Sequence, residues 1–130
     1  GFPGETEQDH HATLALVESL PFTYLHVFAY SQRPGTAAER LPGQQQGHEV
    51  RRRASELRAA GEAKGRRYRT YRLGGTADLV VLRGDVREGI TGDYLSVAIA
   101  DPPPPRGTRL PVRLDGDPDR LVAVPLCPSA

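Results

Sequence analysis

The first apolar residues of the chain recur at helical spacing between an amino-terminal cap and a proline. These positions are Leu14, Leu16, Val17 and Leu20. Thr6 and Asp9 precede them at the spacing of a capping box, and Pro21 follows them. Recurrence every three to four residues between such signals is typical of an amphipathic helix. We therefore predict a helix that begins after Thr6 and ends near Leu20, with its apolar positions buried.

Residues 22–30 are largely apolar on both faces of an extended chain. One face consists of Phe22, Tyr24, His26, Phe28 and Tyr30, and the other consists of Leu25, Val27 and Ala29. A strand of this kind is typical of the interior of a parallel sheet that is covered on both sides. The segment therefore predicts a strand of an α/β domain, in which His26 is a core histidine.

A long helix is predicted over roughly residues 48–71, after a loop rich in Pro, Gly and Gln. Its apolar stripe is narrow and consists of Val50, Ala54, Leu57, Gly61, Lys64, Tyr68 and Tyr71. Gly61, Lys64 and Gly65 weaken this stripe, and arginines cover the rest of the helix surface. Such a pattern favours a helix that packs along one side only.

Beyond Gly74 and Gly75 the apolar residues alternate with a period of two. The predicted strands are Thr76–Arg83, Asp93–Ala100, Thr108–Leu114 and Arg120–Pro125. Segments rich in Gly, Pro and Asp separate them, and short strands of this kind predict a small antiparallel β-barrel. The chain thus divides into an α/β part at 1–46, a basic connecting helix at 47–73 and a β module at 74–130.

Charge changes this picture by marking the helix as the basic part of the chain. The formal net charge of the whole chain is only +1. Residues 47–73 hold nine basic and three acidic side chains, whereas 1–46 hold two and five, and 74–130 hold six and eight. Positive charge concentrated in one segment indicates an anionic partner.

The remaining composition excludes several kinds of site. Cys127 is the single cysteine, so the chain has no internal disulfide and no all-cysteine metal site. No histidine pair has metal-ligand spacing, and His10 and His11 are expected to be solvated on the first helix. No apolar run reaches the roughly 20 residues that cross a bilayer. We therefore expect a reducing, cytoplasmic setting, with no metal ligand, catalytic residue, membrane partner or DNA partner in this chain.

Three segments together resemble a known family. They are Gly1-Phe2-Pro3-Gly4-Glu5-Thr6-Glu7, Leu25-His26-Val27-Phe28-Ala29-Tyr30-Ser31 and Arg33-Pro34-Gly35-Thr36-Ala37-Ala38. This combination of three motifs resembles the radical S-adenosylmethionine methylthiotransferases. Within that family, Leu25–Phe28 is most similar to the branch that acts on threonylcarbamoyladenosine in tRNA. The later run Gly89-Ile90-Thr91-Gly92-Asp93-Tyr94-Leu95 is similar to the TRAM module, an OB-like barrel that ends these enzymes.

The resemblance implies that the chain is the carboxy-terminal fragment of a larger transferase. The parent enzyme would add a methylthio group beside the anticodon, within the anticodon stem-loop of tRNA. It would use S-adenosylmethionine and two [4Fe-4S] clusters, one of them held by a Cys-x-x-x-Cys-x-x-Cys motif in a partial (β/α) barrel. Neither cluster motif occurs in this sequence, so we expect the fragment alone to be inactive.

The same resemblance suggests cofactor contacts for two loops after barrel strands. Loops of this kind share the carboxyl-terminal rim where barrel active sites lie. A glycine-rich turn at a helix amino terminus also offers N–H groups to an anion, although it is as consistent with a plain turn. The candidate cofactor-binding residues are Gly1, Phe2, Pro3, Gly4, Glu5, Ser31 and Arg33.

Exposed arginines would neutralise RNA phosphates. The candidate RNA-binding residues are Arg51, Arg52, Arg53, Arg66, Arg67, Arg69, Arg83, Arg87, Tyr94 and Arg109. The alternative interpretation of the basic helix is a solvated linker. Three other hypotheses stay open for the chain: a stand-alone RNA- or ribosome-binding module, a sister enzyme acting on isopentenyladenosine or on a ribosomal protein, and a β domain that serves as a protein-interaction tail.

Overall fold

The computed structural model describes residues 1–83, 87–100 and 102–126, without the Arg83 side chain. Cys127 therefore lies outside the described residues. The elements are α1 (Glu7–Ser19), a 3-10 turn (Ala38–Arg40), α2 (Gly47–Arg72), β1 (Thr76–Arg83), β2 (Glu88–Thr91), β3 (Ser96–Ile99), β4 (Arg109–Asp117) and β5 (Arg120–Pro125). The chain folds as two units, Gly1–Gly65 and Arg66–Ala130, so that α2 contributes its first turns to one and its last turns to the other.

The predicted amino-terminal cap of α1 is confirmed. The Thr6 hydroxyl accepts a hydrogen bond from the Asp9 N–H at 3.2 Å, and the Thr6 N–H donates to the Asp9 carboxylate at 2.8 Å. This reciprocal pair satisfies two backbone N–H groups that a helix start otherwise leaves open. Val17 is buried as predicted, but Leu16 and Leu20 remain 56% and 39% exposed. The predicted burial of those two residues is therefore wrong.

The predicted strand over residues 22–30 is also wrong. The segment has no regular secondary structure, although Leu25 and Val27 are half-buried. Phe28 on the opposite face is 86% exposed. A strand needs a neighbouring backbone to pair with its N–H and C=O groups. No described residue forms a ladder with 22–30, so the apolar alternation is present without the sheet that it predicted.

The glycine that weakened the predicted stripe of α2 is a close-packing position. A Cβ atom on Gly61 would lie 3.1 Å from side-chain carbons of Leu25. Gly61 and Gly65 are both buried. The Lys64 ammonium donates to the Glu18 carbonyl at 2.8 Å, so its charge also has a partner. Within the first unit, the absence of a side chain lets the segment 22–30 approach this helix.

The second unit contains a closed five-stranded barrel in the order β1-β2-β3-β5-β4. All neighbouring strands are antiparallel except β3 and β5, which pair in parallel through Ala98 with Val122 and Ile99 with Ala123. The small barrel is therefore confirmed, but the expectation of a purely antiparallel one is wrong. Its mixed five-stranded closure is similar to that of an OB-like barrel.

The barrel interior is aliphatic. Its buried residues are Leu79, Val81, Leu95, Val97, Ile99, Val112, Leu114, Leu121 and Ala123. β2 was absent from the predicted strands because its inward residues are Gly89 and Thr91, which carry no apolar alternation. A Cβ on Gly89 would lie 2.7 Å from the Leu79 side chain. The missing side chain at position 89 thus leaves the room that Leu79 fills.

Candidate nucleic-acid interface

A groove of about 440 Å³ lies on the outside of the barrel module. Its lining residues are Arg69, Arg87, Glu88, Ser96, Ala98, Ile99, Ala100, Asp119, Arg120 and Leu121. They come from the last turns of α2, the β1–β2 connection, strands β2, β3 and β5, and the β4–β5 turn. Strands 2 and 3 with the adjoining 1–2 and 4–5 loops form the surface on which OB folds bind oligonucleotides.

Three guanidinium groups converge on this groove from different elements. Arg69 lies on α2, Arg87 precedes β2, and Arg120 begins β5. Arg87 adopts a left-handed conformation with φ of 52°, which is uncommon for a residue with a side chain. Two carboxylates, those of Glu88 and Asp119, also line the groove. The lining therefore holds one more positive than negative side chain.

The β4–β5 turn places Arg120 through side-chain capping. The Asp117 carboxylate accepts hydrogen bonds from the Asp119 N–H at 2.8 Å and the Arg120 N–H at 3.0 Å. Gly116 adopts a φ of 89°, and a Cβ there would lie 2.4 Å from the Arg120 carbonyl oxygen. An Asp side chain that caps its own turn is a common turn device. The turn therefore requires glycine at 116 and aspartate at 117.

The last turns of α2 are tied to the same turn. Arg66 donates to the Asp119 carboxylate, and the Arg69 Nε donates to the Pro118 carbonyl. The acidic β4–β5 turn places Asp119 in the groove lining beside a cation from α2. Arg69 therefore lines the groove, and Arg66 contacts the lining residue Asp119 without lining the groove itself.

The other candidate RNA-binding residues lie apart from this groove lining. Arg109 on β4 pairs with Asp78 at 2.5 Å. Tyr94 lies in the β2–β3 loop and is 71% exposed. Arg51 and Arg67 are exposed on α2. The Arg83 side chain lies outside the described residues.

Arg52 and Arg53 are occupied by carboxylates within the first unit. The Arg52 guanidinium bonds Glu7 at 2.6 Å, Glu49 at 2.7 Å and Glu56 at 2.9 Å. Hydrogen bonding to Arg52 is the main cause that lowers the pKa of Glu7 and of Glu49. The same bonds raise the pKa of Arg52. Arg52 therefore stays charged and is shared among three carboxylates.

Arg53 differs from its neighbours because its side chain is only 7% exposed. It donates to the Glu5 carboxylate and carbonyl at 2.9 Å, and to Glu7 at 3.1 Å. Burial opposes ionisation of Glu5, yet hydrogen bonds from the amino terminus and from Arg53 lower its pKa overall. A buried guanidinium with this set of partners holds the first loop to α2 rather than offering its charge to solvent.

The candidate cofactor residues lie in the first unit, where Phe2 contacts the residue that precedes Ser31. The Phe2 ring packs edge-on against the Tyr30 ring, with 5.4 Å between centroids. Ser31 and Arg33, which follow Tyr30, are exposed. The Gly4 N–H donates to the Gly43 carbonyl at 2.9 Å, and the Glu5 N–H donates to the Phe2 carbonyl at 3.0 Å. These two N–H groups of the glycine turn are therefore used within the protein.

No described group of three or more His, Cys, Asp or Glu side chains is arranged to hold a metal ion. The described residues therefore do not fit an iron–sulfur cluster.

His10 does not lie in solvent as predicted: it is fully buried, and its Nε2 lies 2.6 Å from the Glu56 carboxylate. The prediction for His10 is wrong because α2 covers the helix face that carries it. Within the described ranges, no helix has the length and apolarity to span a membrane.

Sequence reasoning missed Arg120 and Ser96 as groove residues. Arg120 was available as the first residue of a predicted strand, beside a turn rich in aspartate. Ser96 gave no comparable signal, because a small polar residue at an outward strand position is common. Only the closure of the barrel brings β3 and the β4–β5 turn together.

Comparisons with known proteins relate the chain to tRNA-modifying enzymes, although no family model matches it. It is 47% identical over 66 residues to a tRNA-2-methylthio-N(6)-dimethylallyladenosine synthase of Methylobacillus flagellatus, covering 51% of this chain and 15% of that protein. It is 36% identical over 94 residues to a threonylcarbamoyladenosine tRNA methylthiotransferase of Thermotoga maritima, covering 72% and 21%. A synthase of the first kind from Streptomyces viridosporus is 38% identical over 96 residues, covering 74% and 19%.

The matches span about a fifth or less of the length of these relatives. Relatives named for threonylcarbamoyladenosine and for dimethylallyladenosine are similarly identical to this chain, at 36% and 38%. The similarity therefore supports the methylthiotransferase family for this chain, and neither branch of the family is singled out.

Proposed function

We propose that this chain is part of a tRNA methylthiotransferase, and that its barrel module binds the tRNA. The groove on strands β2 and β3 is the observation that carries this proposal. Arg69, Arg87 and Arg120 reach it from three elements, on the side of the barrel where OB folds receive oligonucleotides. Guanidinium groups bind phosphate oxygens through charged, directional hydrogen bonds. A polyanion is therefore the ligand that this lining fits best.

The proposed RNA contacts comprise the groove and the exposed arginines outside it. Arg66 supports the groove by neutralising Asp119, and Arg51, Arg67 and Arg109 add phosphate contacts on exposed surfaces. From the sequence alone, we also propose that Arg83 contacts a phosphate. Arg52 and Arg53 are not proposed as RNA contacts, because their guanidinium groups form ion pairs with carboxylates of the first unit. These carboxylates are those of Glu5, Glu7, Glu49 and Glu56.

For the parent enzyme we propose methylthio transfer to a modified adenosine beside the anticodon. The relatives named above act on dimethylallyladenosine or threonylcarbamoyladenosine, and the motif Leu25–Phe28 favours the second. S-adenosylmethionine and two [4Fe-4S] clusters would supply the radical and the sulfur chemistry, in the cytoplasm where tRNA is found. The described residues do not fit a cluster, so the clusters would be held by other parts of the parent enzyme. Contact of Gly1–Glu5, Ser31 and Arg33 with S-adenosylmethionine is proposed on the resemblance.

Residues 1–46 are proposed to complete a (β/α) barrel in the parent protein. Phe22, Tyr24 and Phe28 are 41%, 53% and 86% exposed along one face of the extended segment. A face of this kind is unusual on a monomeric surface. Neighbouring strands of a barrel would cover it and would pair with its backbone.

RNA binding is tested by titrating a tRNA anticodon stem-loop with the full chain at several salt concentrations. We expect the logarithm of the binding constant to fall linearly with the logarithm of salt. The double variant Arg87→Gln/Arg120→Gln should lower that slope by roughly one for each phosphate that the variant no longer neutralises. Arg113→Gln is the control for the single variant Arg120→Gln, because Arg113 is an exposed cation on β4 outside the groove lining.

Salt-independent binding, or an equal effect of the control variant, would contradict the groove. Absence of RNA binding would favour the alternative of a protein-interaction tail.

The parent reaction is tested separately by mass spectrometry of tRNA nucleosides from cells that lack the gene. Loss of the methylthio form of threonylcarbamoyladenosine, and not of dimethylallyladenosine, is the result we expect. Unchanged nucleosides would remove the enzymatic proposal and leave a stand-alone RNA-binding module.

A further inference from the structure

The β2–β3 loop holds a bulky residue in a conformation that favours glycine. The loop Gly92–Tyr94 is closed by the Thr91 N–H, which donates to the Leu95 carbonyl at 3.0 Å. Tyr94 adopts a φ of 62°, in the left-handed region. Three-residue hairpin loops commonly end in this conformation, and glycine adopts it without steric cost. Tyrosine at position 94 therefore lowers the stability of the hairpin relative to glycine.

The side chain retained at this cost projects into solvent. Tyr94 is 71% exposed, although tyrosine rings usually contribute to a core or to an interface. In the part of the chain that the structure describes, the other residue with a side chain and a positive φ is Arg87 of the groove. Strained residues persist mainly where function needs their direction. The conformation of Tyr94 indicates a binding role for its ring.

A second exposed tyrosine belongs to the same part of the unit. Tyr71 on α2 is 82% exposed, and its ring centroid lies 6.4 Å from that of Tyr68. The Tyr68 hydroxyl donates to the Asp93 carboxylate at 2.7 Å, immediately before Tyr94 in the chain. Tyr68 and Asp93 thus connect the helix that carries Tyr71 to the loop that carries Tyr94.

The charge of this connection is already balanced. The Arg72 Nε lies 3.1 Å from the Asp93 carboxylate, which compensates its negative charge. Burial disfavours ionisation of Asp93, but hydrogen bonds from Thr91 and Tyr68 and the charge of Arg72 lower its pKa overall. Two exposed rings beside a neutralised ion pair offer flat aromatic faces rather than free charge. Such faces suit a planar, unpaired base better than a phosphate.

We propose that Tyr71 and Tyr94 are a stacking site for unpaired bases of the bound RNA. This inference rests on the proposed RNA-binding function. It adds contacts to the bases of the RNA, whereas the arginines contact its phosphates. The groove would hold phosphates, and the two tyrosines would select single-stranded nucleotides. Because every base has a π-face, stacking by itself would impose little sequence preference.

The test compares two ligands of equal charge: a single-stranded uridine oligonucleotide and an abasic oligonucleotide of the same length. For the full chain carrying Tyr71→Leu/Tyr94→Leu, we expect affinity for the uridine strand to fall roughly tenfold or more, as is usual when stacked aromatics are removed. Affinity for the abasic strand should not change. Tyr24→Leu is the matched control, because Tyr24 is 53% exposed in the first unit. The chain contains no Trp, so quenching of tyrosine emission provides a second readout.

Tyr94→Gly provides a variant that does not depend on loss of structure. We expect it to raise the melting temperature, because glycine adopts the loop conformation without strain, and to weaken uridine binding at the same time. Equal binding by the unmodified chain and the Tyr71→Leu/Tyr94→Leu variant, with salt dependence intact, would overturn the stacking site alone. An equal reduction for uridine and abasic strands would overturn it too. Failure of the unmodified chain to bind RNA would overturn the proposed function together with this inference.

Discussion

The Nε2 atom of His10 lies 2.6 Å from the Glu56 carboxylate, and the His10 side chain is fully buried. Glu56 also accepts a hydrogen bond from Arg52 at 2.9 Å. These contacts join α1 to α2 within the first unit. The contact with His10, followed by that with Arg52, lowers the pKa of Glu56.

The stability of α1 should therefore depend on pH in the acid range. A carboxyl group whose pKa is lowered by folding stabilises the native state above its unfolded pKa, near 4.3 for Glu, and this stabilisation is lost as pH falls through the folded value. We expect hydrogen-exchange protection of α1 amides to decrease below about pH 4.3. Glu56→Gln should reduce protection at pH 7 and flatten the pH dependence. Glu62→Gln, on the exposed side of α2, is the control, and an equal effect there would contradict the assignment.

Arg53 and Arg51 should separate stability from RNA binding. Arg53→Ala removes the buried guanidinium that ties Glu5 to α2, whereas Glu7 keeps its bond to Arg52. We expect a lower melting temperature for Arg53→Ala, with salt-dependent RNA binding at low temperature unchanged. Arg51→Ala, at an exposed position, should leave the melting temperature unchanged and weaken the salt-dependent RNA binding. Thermal unfolding followed by circular dichroism and RNA titration of both variants check this pair.

Gly89→Ala should destabilise the barrel. The new Cβ would lie 2.7–2.9 Å from three side-chain carbons of Leu79, inside a closed core. Overpacking of this kind costs roughly 1–3 kcal/mol. Gly92→Ala is the matched control, because its Cβ would meet nothing within 4 Å. Chemical denaturation of the full chain measures the stability of both variants. Equal stability of the two would show that Leu79 moves aside freely.

Tyr68→Phe should weaken the link between α2 and the β2–β3 loop. It removes a hydrogen bond to Asp93, for which a destabilisation of about 1 kcal/mol is typical. Tyr71→Phe is the control on the exposed neighbouring ring. The bond to Asp93 and burial raise the pKa of Tyr68, so its phenol should ionise at a higher pH than is ordinary for tyrosine. Ultraviolet titration of the unmodified chain and of the Tyr68→Phe variant measures this. The variant should lose a phenol that ionises late, and an unchanged late part of the titration curve would contradict the prediction.

Local patterns predicted the elements whose signals lie within a few residues. The capping box at Thr6 and Asp9 is present, and α2 runs from Gly47 to Arg72, one residue beyond its predicted span at each end. β1 and β5 have the predicted bounds. Caps, helical spacing and strict alternation are properties of neighbouring residues, so the sequence contains them directly.

The errors occurred where a distant neighbour decides the outcome. Residues 22–30 alternate as a strand does, yet no described backbone pairs with them. β2 is a strand although its inward positions are Gly89 and Thr91, because Leu79 from β1 fills the space. The sequence predicts a solvated His10, and only the approach of Glu56 from α2 buries it.

By itself, the amino-acid sequence determined the caps, the basic helix, a β module of short strands and a resemblance to a methylthiotransferase. Each of these depends on residues that are close in the chain or on motifs with fixed spacing. The tertiary structure alone decided which arginines are buried with carboxylates and which line a groove. Arg53 and Arg51 are two residues apart and differ in burial, whereas Arg69 and Arg120 are distant in sequence and share a lining. That distinction requires chain closure, because burial and convergence are set by partners that local sequence does not contain.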